Sequence, residues 1–216
     1  LDQNGGFFRF RHGAAPVHLM FNPADSAVYV FNTTPKERKG LRLEGMLTDE
    51  YGREIWKKAQ EMTVEGNSIS RIWDIDLNST PASVHFLKLR ITYVSTGLPV
   101  VDNTYWFPYN GERTRLMTLP ESKIVGQMMK SSNGKYTVDL ANSGSVAAFF
   151  IRMKVIRATD GEMITPVFFD DNYVVLLPGE KKSIQVDVTG VNDEERNTPL
   201  LLHLEGFNLQ PSLVRL

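Results

Sequence analysis

Two short runs of acidic and amide side chains are the parts of the sequence best suited to chemistry. Asp74 and Asp76 stand two apart, and Asp170-Asp171-Asn172 stand together. Glycoside hydrolysis needs a pair of carboxyl groups about 5–5.5 Å apart for retention, or about 6.5–9.5 Å apart for inversion. Asp74 and Asp76 alternate with Trp73, Ile75 and Leu77. That alternation puts both aspartates on the outward face of one strand, where a small sandwich offers no deep pocket. A solvated acidic face is the expectation there. Asp170-Asp171-Asn172 lies between the apolar segments Val167-Phe168-Phe169 and Tyr173-Val174-Val175-Leu176-Leu177. A turn whose Asx side chains bond nearby backbone fits that placement. The same oxygens suit Ca²⁺, and the loop could equally touch a sugar or a neighbouring domain. Asp170, Asp171, Asn172 and the adjoining Tyr173 are therefore carried forward as candidates for ligand or domain contact.

Other chemistries leave no mark. His12, His18, His85 and His203 form no HxH or HxxxH pair, and there is no cysteine. Zinc sites of the usual spacing, iron–sulfur clusters and disulfides are thereby excluded, and no metal or cofactor is expected. A Ser/His/Asp triad has no local signature, but the G-x-S-x-G elbow that often carries one is missing. Neither a Walker loop nor G-x-G-x-x-G occurs. No catalytic residue is assigned. Of the three tryptophans, Trp73 and Trp106 sit in strand-like segments and read as core. Trp56, in Glu54-Ile55-Trp56-Lys57, is the ring most open to a ligand or a domain contact. Asn32-Thr33-Thr34 and Asn78-Ser79-Thr80 are sequons, relevant only in a eukaryotic secreted protein.

The elements that would position these residues are strands. Leu87, Leu89, Ile91 and Tyr93 share one face of a segment whose other face holds Lys88, Arg90 and Thr92. The same alternation runs through Phe149, Ile151, Met153 and Val155, through Ile184, Val186 and Val188, and through Leu200, Leu202 and Leu204. Turn chemistry separates them: Thr48-Asp49-Glu50-Tyr51-Gly52-Arg53, Thr159-Asp160-Gly161-Glu162, and Pro178-Gly179. Residues 55–62 and 192–196 are the best helical candidates; in the second, Asn192 is placed to cap and Asp193, Glu194 and Glu195 fill the first turn. About seven short strands in each half predict an all-β chain of two tandem immunoglobulin-like β-sandwiches, divided at Pro108-Tyr109-Asn110-Gly111-Glu112 into domains 1–110 and 111–216.

Composition sets the outer limits. The chain has 216 residues, 42% of them apolar and 23% charged, which suits a globular protein. Lys and Arg number 24 against 25 Asp and Glu, a net charge of −1, so no basic excess exists to hold nucleic acid. No apolar run reaches the ~20 residues of a membrane helix. Residues 1–12, LDQNGGFFRFRH, lack the basic start and apolar run of a secretory signal. Without an initiator Met, the sequence reads as a fragment of a longer chain.

Several segments taken together resemble a known family. Ala147-Ala148-Phe149-Phe150-Ile151-Arg152, then residues 161–173, then Leu176-Leu177-Pro178-Gly179-Glu180 are similar to the last immunoglobulin-like domain of family 2 glycoside hydrolases. The exo-β-mannosidase and exo-β-glucosaminidase branch is the nearest in pattern. Glu205-Gly206-Phe207-Asn208 resembles the end of that domain, with Phe207 where Trp is more frequent. Residues 12–18, Asn22-Pro23, residues 30–34 and Asn103-Thr104-Tyr105-Trp106-Phe107 resemble the sandwich that follows the catalytic barrel. The resemblance implies a parent that is a retaining exo-β-glycosidase, β-mannosidase-like. Its (β/α)₈ barrel, which needs about 250 residues, carries the two catalytic glutamates. This chain has neither the length nor the helices for that barrel. It would be a non-catalytic region that buttresses the barrel, with the barrel as partner and carbohydrate as a further one, in the periplasm or outside the cell. A carbohydrate-binding module and a cell-surface or periplasmic interaction module are the alternatives.

Overall fold

The computed structural model describes residues 3–77, 82, 84–108 and 111–215. The sequon Asn78-Ser79-Thr80 and the centre of the expected domain junction, Tyr109-Asn110, lie outside these. The chain forms two compact units, Arg9–Leu119 and Pro120–Leu216 with Leu1–Phe8. Each is a sandwich of antiparallel sheets, as the alternating sequence requires.

In the unit of residues 9–119, β1 (Val17–Asn22), β2 (Ala27–Asn32) and β5 (Ser68–Asp74) make one sheet, in the order β1-β2-β5. The other holds β3 (Arg38–Thr48), β4 (Glu54–Val64), β6 (Val84–Tyr93) and β7 (Pro99–Pro108), in the order β4-β3-β6-β7. Seven strands split this way make an immunoglobulin-like sandwich. Leu19, Val28 and Val30 from one sheet meet Leu43, Leu87, Leu89 and Ile91 from the other. Leu87, Leu89 and Ile91 are buried as their alternation predicts, but Tyr93 at the end of the strand is 39% exposed. The pairing of β6 with β7 shifts register between Ile91 and Thr92, which releases the last turn of the pattern.

Residues 55–62, a helical candidate by sequence, are strand instead. They lie inside β4 and pair residue by residue with β3, Met46 against Lys57 and Leu47 against Trp56. Trp73 is core, as expected, at 5% exposure. Gly45 in β3 is the floor on which two indoles meet. A methyl group there would lie 2.8 Å from Cζ3 of Trp56 and 2.9 Å from Cζ3 of Trp73. Gly45→Ala should therefore cost about 1–3 kcal/mol of stability through overpacking, measurable as a lower urea midpoint.

In the other unit, β8 (Ile124–Ser132), β9 (Lys135–Asn142), β13 (Lys181–Asp187) and the two-residue β11 (Phe168–Phe169) form the sheet β11-β13-β9-β8. Facing it is β12-β10-β14-β15, built from β10 (Ala148–Arg157), β12 (Val174–Leu176), β14 (Leu200–Gly206) and β15 (Leu209–Arg215). Ile151, Met153 and Val155 pack with Leu200, Leu202 and Leu204 against Val138, Leu140, Ile184 and Val186. Pro178-Gly179 turns as its residues predict: Gly179 has φ +77° and the Glu180 N–H donates to Leu177 O at 3.0 Å. Asn192 caps α2 (Asp193–Arg196), accepting from the Glu195 N–H at 2.8 Å.

Helix α1 (Gly5–Gly13) has no counterpart in the sequence reading. Two glycines in its first turn give it low propensity. It forms because the Asn4 side chain accepts from the Phe7 N–H at 3.1 Å and because Phe8 is buried.

Candidate functional site

The segment Asp170-Asp171-Asn172-Tyr173 joins β11 to β12, and nearly all of it is committed to backbone. Asp170 Oδ1 accepts from the Gln185 N–H at 2.7 Å. Asp171 Oδ1 accepts from the Asn172 N–H at 2.9 Å, and its Oδ2 is 2.6 Å from Lys182 Nζ. Asn172 does more than cap a turn. Its Oδ1 accepts from Met153 N–H at 2.8 Å and from Tyr173 N–H at 2.9 Å, while its Nδ2 donates to Met153 O at 3.0 Å. The carboxamide thus copies a strand residue beside β10. It does so near the gap in the β10·β12 ladder, where pairing shifts between Ala148 and Ile151.

Asp170 Oδ1, both Asp171 oxygens and Asn172 Oδ1 are engaged in this scaffold. Among the described residues no three His, Asp or Glu side chains converge as a metal site. Tyr173 has φ +54°, as does Phe150. Both are bulky residues in the left-handed region, a conformation that surrounding packing must hold in place. Tyr173 packs with its ring centroid 6.3 Å from that of Phe150 and 6.2 Å from that of Phe8; the Arg152 guanidinium lies 5.7 Å over its ring.

Beside Tyr173 lies a polar group that single-strand reading does not find. Arg152 and Lys154 point outward from β10, and His203 and Glu205 from β14. The register Arg152↔Glu205 and Lys154↔His203 brings them together. Glu205 Oε1 accepts from Arg152 Nη1 at 3.0 Å and from Lys154 Nζ at 2.7 Å; its Oε2 is 3.7 Å from His203 Nδ1. All four are partly buried. Burial raises the Glu205 carboxyl, but the hydrogen bond and charge of Lys154, then the charges of Arg152 and His203, outweigh it. The net result is a carboxyl below the ordinary range. A depressed folded-state value stabilises the fold above the unfolded value, about 4.3, and that contribution is lost as pH falls through the folded value. Glu205→Gln should therefore flatten the fall in unfolding midpoint between about pH 5 and 3. Pairing across two strands is the signal that finds this cluster.

The remaining candidates disperse. Trp56 is half-buried, its ring centroid 5.7 Å from that of Trp73 in an edge-on contact, with Lys58 Nζ 6.0 Å away over its face. Asp74 takes Arg71 Nε and Nη2 at 3.0 and 2.5 Å, and Arg71 Nη1 reaches Asp25 at 3.4 Å. The aspartate belongs to a surface ion network. Asn32 of the first sequon is 1% exposed, its Nδ2 donating to Lys36 O and Glu65 O, so it offers no glycan acceptor. His18 stacks on Phe31 and donates from Nδ1 to Ala15 O at 2.6 Å. Asp49 and Glu50 are unexpectedly buried for turn residues. Asp49 Oδ1 holds the Tyr51 and Arg53 N–H groups at 2.9 Å each, which closes the β3–β4 hairpin.

Two antiparallel sandwiches whose polar clusters bind mainly their own backbone and one another make the chain a tandem of immunoglobulin-like modules. Comparison with known proteins narrows this. Residues 103–209 match the exo-β-D-glucosaminidase Ig-fold domain. The whole chain aligns at 27% identity with 26% of the exo-β-D-glucosaminidase of Hypocrea jecorina. Over 86% of its length it aligns at 24% with 26% of the mannosylglycoprotein endo-β-mannosidase of Lilium longiflorum. The fold of the exo-chitosanase of Amycolatopsis orientalis superposes on all of it with TM-score 0.81 at 20% identity, using 28% of that chain. The β-D-mannosidase of Dictyoglomus thermophilum covers 94% with TM-score 0.70 at 17% identity. Residues 103–209 thus match an Ig-fold domain of the exo-β-D-glucosaminidase type, and the chain as a whole is similar to part of exo-β-D-glucosaminidases and of a β-mannosidase. It spans about a quarter of the length of the relatives it matches.

Proposed function

We propose that the chain is a non-catalytic accessory region of a larger retaining exo-β-glycosidase, β-mannosidase- or glucosaminidase-like, and that it buttresses the catalytic barrel of that enzyme. The observation that carries this is the coverage: all of the chain aligns with only a quarter of a glycosidase, and the matching family model is an Ig-fold domain. Sandwiches packed beside a barrel bury apolar surface and steady the loops that shape its mouth. The half-exposed rings of Trp56 and Tyr173 are the contact candidates, and Asp170, Asp171 and Asn172 fix the segment that presents Tyr173. No helix among the described residues is long and apolar enough to cross a membrane; the reading places the enzyme in the periplasm or outside the cell. The coding frame tests it. It should encode, besides these residues, a jelly-roll and a (β/α)₈ barrel of about 250 residues with two glutamates at strand ends. A frame encoding these two sandwiches alone would overturn the proposal.

A further inference from the structure

Strand β4 ends its sheet. In the order β4-β3-β6-β7 it pairs with β3 on one side, and no strand among the described residues pairs with its other side. It is also the longest strand at any sheet end among these residues, eleven residues without a proline. By contrast β15 carries Pro211, and β7 has Pro99 and Pro108 at its ends. Such an edge presents a row of backbone N–H and C=O groups to any strand that comes alongside. Edges are commonly blunted with lysine, and β4 holds Lys57 and Lys58. Whether it repels a second strand depends on which side chains that strand sets against them.

The ladder with β3 sorts the side chains of β4 by face. Met62, Gln60, Lys58 and Trp56 stand opposite Leu41, Leu43, Gly45 and Leu47, the buried row of β3. Glu61, Ala59 and Lys57 stand opposite Arg42, Glu44 and Met46 on the outward row. The side chains of Lys57 and Glu61 are each 58% exposed. Their ion pairs within the chain are loose, 3.6 Å from Lys57 to Glu54 and 3.7 Å from Arg42 to Glu61. Exposed pairs of that length hold neither side chain firmly.

A second β4 laid antiparallel along the free edge, with Ala59 against the partner's Ala59, overlaps the whole strand, because Ala59 is the midpoint of Glu54–Val64. Lys57 then stands directly opposite the partner's Glu61, and Glu61 opposite the partner's Lys57, all on the outward row. Directly opposed charges of unlike sign stabilise a strand pair. On the other row Trp56 meets the partner's Met62, a ring against a thioether. A slip of two residues is the smallest that keeps both buried rows on one side of the sheet. It sets Lys57 against alanine or threonine and breaks both ion pairs. The strand is therefore complementary to itself in one register.

We propose that two copies of the chain join through β4 as a two-fold antiparallel dimer, with a continuous eight-stranded sheet made of four strands from each copy. The seam is narrow, below the ~1,200 Å² of a standard interface, so the dimer is weak, with a Kd on the order of 10–100 μM. The inference rests on the edge strand alone and does not depend on the accessory role proposed above. Trp56, a contact candidate there, gains a partner here without any barrel.

Sedimentation equilibrium of the 216-residue chain between about 1 and 300 μM tests it, with amide hydrogen exchange at both ends of that range. The average mass should rise toward twice that of the monomer, and amides within residues 55–63 should exchange more slowly at the high concentration. Lys57→Glu and Glu61→Lys should each weaken association about tenfold or more, since each sets two like-charge pairs across the seam. The double variant Lys57→Glu/Glu61→Lys rebuilds both pairs in reverse and should associate within about threefold of the parent. A chain that stays monomeric throughout, or a dimer whose slowed amides lie outside β4, would overturn the inference. So would single variants that associate as the parent does, or a double variant as weak as either single one. The mass and exchange data on the unaltered chain decide the matter even if a variant fails to fold.

Discussion

Replacing Asn172 by alanine is expected to destabilise the unit of residues 120–216 by about 3 kcal/mol, because two main-chain groups of Met153 lose their partner at once. Met153 is 2% exposed, so water cannot take over from the carboxamide. Each buried group left without a partner costs about 1–3 kcal/mol, and the lost bond to the Tyr173 N–H adds to that. Asn172→Asp should also destabilise, for a different reason. It keeps both acceptor bonds but sets a carboxylate oxygen against Met153 O, where Nδ2 donated. Urea denaturation of the three proteins checks this. A residue kept only for an external ligand would leave the unfolding midpoint almost unmoved on truncation, and that result would return Asn172 to the status of a surface ligand.

Phe8→Ala is expected to cost about 3–5 kcal/mol, the largest single loss considered. Phe8 is 1% exposed and lies in the core cluster with Ile151, Met153 and Leu202, more than a hundred positions away in sequence. Its removal empties the space of a whole ring and takes away the contact that holds Tyr173 on that side. The glycine-rich helix α1 has little intrinsic tendency to form, so its first turn should fray in the variant as well. Thermal unfolding and amide exchange of residues 5–8 report both effects. A midpoint within about a degree of the parent would mean that the segment is not part of the core.

These two residues show where sequence reading succeeds and where it stops. Ile151, Met153 and Val155, and Leu200, Leu202 and Leu204, were legible because a strand with one buried face repeats every two residues. Asn192 was legible because capping is local. Phe8 was not, since its helix follows from burial against residues 140 positions on and runs against its own glycines. Residues 55–62 misled in the other direction. Their apolar spacing suits a helix, and only the ladder with β3 makes them strand. The Asx character of residues 170–172 was readable, but not that Asn172 would bond β10. Nor was the meeting of Arg152 and Lys154 with Glu205 and His203, because register between strands fifty residues apart is not written in either one.

The proposed accessory role requires that these sandwiches hold no reaction centre of their own. Hydrolysis of p-nitrophenyl β-D-glucosaminide and p-nitrophenyl β-D-mannoside by the purified 216-residue chain tests it most directly. Release of p-nitrophenol should be no faster than in buffer across the pH range where the fold persists. Turnover that saturates with substrate and co-purifies with the chain would contradict it.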